Sequence, residues 1–176
     1  MGVRRAALVL IVAAALLGPA ESAFAGPVVT DADKLRAGVI SEMNRVRSAH
    51  GLRTLTVRPR LQNAGSGHAN NLAKHGVFTH DWSNGTPFAK WIGWYWPGPG
   101  YTSWSAGENL AWGAPGLGVR KTVSLWMHSP GHRANLLSKT WNRVGVSVVH
   151  VTDPVGTFAP YSGATIVTAD FGRRSR

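Results

Sequence analysis

From Asp33 to His50 the apolar side chains Leu35, Val39, Ile40, Met43 and Val46 recur at the spacing of one helix face, with polar residues between them. Asp31 or Asp33 offers an N-cap and Gly51 a stop, so a helix is predicted over 33–50. The run RLQNAGSGHANNLAKHG (60–76) repeats the pattern through Leu61, Ala64, His68 or Ala69, and Leu72, with Pro59 near its start and Gly76 at its end. Val119–Met127 predicts a third helix. Pro130 cannot continue it, because a mid-helix proline lacks an N–H and clashes with the carbonyl four residues back, at a cost of about 3 kcal/mol. A short fourth helix therefore starts there, with Ser129 as N-cap and Pro130 at its first position.

Further on the chain becomes rich in β-branched residues. VGVSVVHV (144–151) and ATIVTADF (164–171), separated by the turn residues of 152–163, predict two neighbouring antiparallel strands. TLTV (54–57) fits an edge strand or plain extended chain. Residues 77–118 are rich in Gly, Pro and Trp, and read as a long functional loop, kept ordered by aromatic residues that disordered chains lack. Helices followed by a small sheet make this an α+β chain.

The start of the chain has a different character. MGVRR is basic, AALVLIVAAALLGPA (6–20) is apolar, and SAFAG (22–26) supplies an A-x-A cleavage site, so residues 1–25 are expected to be a secretory signal peptide. The apolar run is too short to span a bilayer comfortably, so no membrane span is expected after cleavage. A lead at 26–32, one domain at 33–172 and a basic tail at 173–176 complete the expected organisation. The protein is expected to be secreted, extracellular or associated with the cell envelope, and monomeric. Without any cysteine, it needs neither a disulfide framework nor a lipid-modified cysteine.

The formal charge is +11, and cleavage lowers it by one because Arg4, Arg5 and Glu21 leave together. The basic residues are scattered and form no nucleic-acid motif, which points to anionic envelope components and away from nucleic acid. A charged, soluble surface accounts for the same excess. In the aromatic loop Trp82, Trp91, Trp94, Tyr95, Trp96, Tyr101 and Trp104 offer a platform for glycans or acyl chains, or else complete the core beneath the loop. The expected division buries Trp91 and Trp104 and exposes the tip WYWPGPGY (94–101), making Trp94, Tyr95, Trp96 and Tyr101 the candidate ligand-binding residues.

His128 and His132 would share a helix face only if the helix ran unbroken, and Pro130 prevents that. His132 instead falls in the first turn of the fourth helix, where the positive end of the helix disfavours imidazolium and keeps the ring neutral. A neutral imidazole accepts a hydrogen bond or a metal, or simply packs.

Four strings, FTH (78–80), AGENLAWG (106–113), LWMHSPGHRANLL (125–137) and NRVGVSVV (142–149), together resemble the CAP domain of cysteine-rich secretory proteins, venom antigens and plant pathogenesis-related proteins, in a cysteine-free bacterial form. The resemblance covers about residues 33–172. It implies a three-layer α-β-α sandwich with a small antiparallel sheet, and further strands within 77–118. It also implies a cleft lined by two histidines and two acids that holds a divalent metal such as zinc in some members. On this chain His80, Glu108 and His132 match, with His80 and His132 as metal ligands. The second acid is replaced by Ser129.

Two functions follow from that resemblance. One is a non-catalytic binding or effector domain that engages a cell-wall glycan, lipid or protein at the envelope. The other is a metal-dependent, peptidase-like hydrolase in which His80 and His132 hold zinc and Glu108 activates water. Glu108 has a structural alternative, organising backbone N–H groups in its loop. His68 and His128 could approach the cleft, but as lone histidines beside apolar faces they read as core or rim residues.

Overall fold

Helix α1 (Ala32–Ala49) buries Leu35, Val39, Met43 and Val46, the stripe that its spacing predicts. Asp33 lies in its first turn and pairs with Arg36 at 2.9 Å. Strand β1 (Thr56–Val57) follows, then α2 (Pro59–His75), which ends at Gly76 in the left-handed conformation. The segment read as a long loop contains a one-turn helix α3 (Phe88–Trp91), a 3-10 turn at Ile92–Trp94 and an eleven-residue strand, β2 (Ser103–Gly113). Helices α4 (Val119–His128) and α5 (Pro130–Leu136) meet at Ser129, and strands β3 (Arg143–Val151) and β4 (Ala164–Ser175) close the chain. This computed structural model describes residues 32–176, so the expected signal peptide at 1–25, most of the lead and Asp31 lie outside the described residues. Among the described residues no helix is long and apolar enough to cross a membrane.

The four strands form one mixed sheet in the order β1-β3-β4-β2. β3 and β4 pair antiparallel, as their composition predicts; β2 joins β4 antiparallel, and β1 runs parallel to β3 at the other edge. β4 extends to Ser175, so Arg173 and Arg174, expected in a basic tail, pair instead with Ser105 and Trp104 of β2.

Successive strand residues point to opposite faces, and each face carries its own helices. On one face Ala111, Val144, Val146, Val167, Ala169 and Phe171 pack against α1 and α4. On the other, Leu110, Ile166 and Val149 meet Ala69 and Leu72 of α2, and Leu61 and Ala64 join Phe88, Trp91, Ile92 and Trp96. The result is an α-β-α sandwich.

The approach of α2 to the sheet depends on two missing Cβ atoms. A Cβ on Gly145 would run into the backbone of Leu61 and Gln62, and one on Gly65 would meet the Thr168 hydroxyl and lie 2.6 Å from the Asp170 carboxylate. Helix and sheet therefore touch backbone to backbone at Gly145, while Gly65 makes room for the Thr168 and Asp170 side chains.

A candidate cleft built around Glu108

Glu108 lies on β2, not in a loop, and its side chain points to the α2 face of the sheet. It is buried there, and both carboxylate oxygens are used. His68 Nδ1 lies 2.7 Å from Oε2, and His80 Nδ1 lies 2.8 Å from Oε1. Burial raises the carboxyl pKa, but the two imidazoles outweigh it, His68 first, and the net shift is downward. Glu108 therefore organises side-chain rings rather than backbone N–H groups.

His68 comes from the apolar stripe of α2. Its ring stacks at 5.8 Å on Trp82 and lies 4.5 Å from Trp91, while Nε2 faces the Asp81 carbonyl at 3.3 Å. Both of its nitrogens thus face oxygen atoms. His80 is positioned by the segment after α2. Its carbonyl accepts from Trp91 Nε1 at 2.9 Å, and Asn71 of α2 holds that segment through two bonds to Ser83.

The neighbouring residues explain the rest of the GEN string. Asn109 points to the opposite face, where its Nδ2 donates to the His132 carbonyl at 2.9 Å. Asn135 of α5 donates to the Glu108 carbonyl at 3.1 Å and to Asn109 Oδ1 at 3.2 Å. These amides fasten α5 to β2, and Gly107 leaves room for them, because a Cβ there would lie 3.1 Å from Asn135 Oδ1. One strand thus fixes both sides of the cleft.

His132 is brought to His80 as expected, with ring centroids 6.2 Å apart in an edge-on arrangement. Its pKa is lowered to about 4, first by burial and then by His80, with Glu108 opposing. The ring is neutral at pH 7, but burial, not the helix end, is the main reason. Its Nε2 is buried without a hydrogen-bond partner among the described residues.

Ser129 has the extended backbone of an N-cap, with φ −97° and ψ 118°, yet its side chain makes no capping bond and its Oγ is buried without a partner. It supplies no carboxylate to the cleft. His128 lies apart, bonded at 2.8 Å to the Ser124 carbonyl on its own helix.

Two imidazoles and an acid already committed to both of its histidine contacts make a lean donor set for a metal. Among the described residues no three His, Cys, Asp or Glu side chains are placed to hold an ion. His80 and His132 alone fall one protein ligand short of an open zinc site, so the residues do not fit a catalytic zinc.

The aromatic residues divide differently from the sequence expectation. Trp91 is buried, but Trp104 is only half-buried. Trp96, expected at the exposed tip, is 0% exposed: it packs on Leu61 and over Gly172, beneath the Arg174 guanidinium at 4.4 Å. Tyr95 and Tyr101 are half-buried, and Arg174 lies 4.0 Å above the Tyr101 ring. Trp94 is 54% exposed and meets Trp82 edge-on at 5.3 Å, which carries the aromatic surface to within one ring of His68.

Of the buried polar residues of this face, His68 was read as a core or rim residue and Asp170 went unrecognised in the sequence. His68 was visible as a histidine on an apolar helical stripe. Asp170 was visible as an acid in a β-branched run, and it faces Glu108 directly across β2 and β4.

The chain resembles proteins of known structure. An extracellular protein containing an SCP domain from Bacillus anthracis matches with a TM-score of 0.63 and 23% identity over 85% of this chain and 45% of that one. An outer surface protein from Borrelia burgdorferi matches with a TM-score of 0.67 and 21% identity, covering 86% of this chain and 100% of the other. A cysteine-rich secretory protein from Staphylococcus aureus matches with a TM-score of 0.56 and 16% identity over 80% and 40%. The chain thus spans less than half the length of the first and third of these. At such identities the likeness shows the fold alone. No curated protein sequence matches the chain. The family described as the cysteine-rich secretory protein family, CAP, matches residues 40–161, most of the sandwich and every cleft residue, and the chain belongs to that family.

Proposed function

We propose that this protein is a secreted CAP domain that works as a non-catalytic binding or effector module at the cell envelope. The observation that carries this reading is the state of Glu108, whose two oxygens meet His68 and His80. Each oxygen already accepts from a histidine, and its side chain is 1% exposed. A carboxylate held this way braces the cleft, and burial keeps its remaining lone pairs out of reach of solvent. The basic charge and the exposed Trp94 suit an envelope ligand, with a glycan stacking on the ring. The extracellular and outer-surface descriptions of the structural relatives favour the same location.

The hydrolase reading requires water to reach the buried Glu108 carboxylate. A divalent cation such as zinc, held through His80 and His132, is bound weakly and serves no reaction. Calorimetric zinc titration of the purified protein and of its His80→Ala, His132→Ala variant, with peptidase activity profiling of both, tests this. Weak zinc uptake lost in the variant, with no turnover in either protein, agrees with this reading, and no uptake in either removes the metal while leaving the binding reading in place. Zinc-dependent turnover abolished by the variant overturns it.

A further inference from the structure

Part of the excess positive charge converges on a second site. At the end of α5 away from His132, a pocket of about 370 Å³ is walled by the end of α1 and the turn after it, the 139–142 loop and β4. Arg47, Arg53, Lys139 and Arg173 line it, and no acid among the described residues does. The ion pairs of the described residues join Arg36 to Asp33, Arg45 to Glu42, and His68 and His80 to Glu108, so none reaches these four cations.

Arg47 gives the pocket a fixed, buried charge. It is 1% exposed and stands in the last turn of α1. Nε donates to the Arg53 carbonyl at 2.9 Å, Nη1 to those of Leu136 and Ser138 at 2.7 and 3.0 Å, and Nη2 to that of Trp141 at 3.4 Å. These bonds close the end of α5 and use four of the five guanidinium N–H groups. They offset its desolvation with dipoles only, and no carboxylate neutralises it. Arg53, Lys139 and Arg173 are exposed, and each has a side chain long enough to follow a ligand. Next to the pocket, Arg143 stands among Arg58, Arg174 and Arg53, so the positive field continues beyond the rim.

The chemistry of this lining selects among anions. The volume is at the small end of ligand pockets, which run from about 300 to 1,000 Å³. A carboxylate is satisfied by one guanidinium fork. A phosphate ester presents acceptors in several directions, and cations from three separate segments answer that geometry. We propose that this pocket binds the phosphate group of a small ester, carried either on a soluble molecule or on a lipid headgroup. The site shares no residue with the cleft and does not rest on the reading given for it.

Lys139→Ala with Arg173→Ala tests the site, because both side chains are exposed and fold retention is checked by thermal melting. Lys74→Ala with Lys90→Ala removes the same charge from exposed positions of the α2 layer and serves as control. Inorganic phosphate, sn-glycerol 3-phosphate and acetate are titrated calorimetrically, and vesicles of phosphatidylglycerol in phosphatidylcholine are tested for cosedimentation. Saturable phosphate binding that falls by about tenfold or more in the pocket variant, and by less than about twofold in the control, is expected, since two charge-assisted contacts are lost. Competition by glycerol 3-phosphate but not by vesicles supports the soluble source, and competition by vesicles supports the headgroup. Absence of saturable binding, equal loss in both variants, or acetate binding as tightly as phosphate overturns the proposal.

Discussion

Glu108 and Asp170 face each other across β2 and β4 on the same side of the sheet, yet their acidities move in opposite directions. Asp170 is raised well above the usual carboxylate range, first by burial and then by the Glu108 charge. Glu108 has two histidines to balance its burial, while both Asp170 oxygens are buried without a partner among the described residues. One acid is pushed toward its ionised form and its neighbour toward its neutral form.

Asp170→Asn tests that asymmetry through pH. A carboxyl whose folded pKa lies above its unfolded value weighs against folding increasingly as pH rises from the unfolded value toward the folded one. The melting temperature of the variant relative to wild type should therefore climb as pH goes from 4 to 7. A difference independent of pH would place an ionised carboxylate at 170.

Glu108→Ala removes the acceptor of two buried imidazoles. It should cost about 2–4 kcal/mol in denaturant unfolding, the range for a vacated core site with unsatisfied donors. Glu108→Gln should lie between, because its amide oxygen still accepts from one ring.

Trp94 and Trp96 separate ligand contact from core packing. Trp96→Ala should lower stability by about 3–5 kcal/mol, as a large buried ring does. Trp94→Ala should leave the melting temperature nearly unchanged and weaken binding to cell-wall fractions in pull-down assays. A collapsed melt for Trp94→Ala would make that ring structural.

Ser129→Ala should change stability by less than about 0.5 kcal/mol, short of the roughly 1 kcal/mol of a working side-chain cap. Its hydroxyl makes no bond to α5. Chemical denaturation decides it.

The helices and the β3–β4 pair were legible because their patterns are strong: a stripe at Leu35, Val39, Met43 and Val46, a proline at 130, alternating β-branched runs. Strand β2 was not legible from its composition. SWSAGENLAWG has two glycines, two alanines and an asparagine, all poor strand formers, and it is a strand because β4 supplies its whole hydrogen-bonding edge. The cleft was legible in part. His80, Glu108 and His132 do converge, but His68 could be recognised as a partner only once α2 was laid on the sheet. Trp96 was misread because its burial depends on Gly172 and Arg174, far along the chain.

A layer of side chains between a helix and a sheet ordinarily acts as a soft spacer, letting the helix slip when rotamers change. At Gly145 no such spacer exists, and displacement of α2 would have to unseat backbone from backbone there. His68 and Glu108 thus form the fixed jaw of the cleft. The opposite jaw, α5 with His132, is held to β2 by the amides of Asn109 and Asn135 and at its far end by Arg47, so a ligand that widens the gap tilts the His132 end of α5. Amide exchange should then be slow along α2 and respond to ligand along α5, which gives the cleft a direction in which to open.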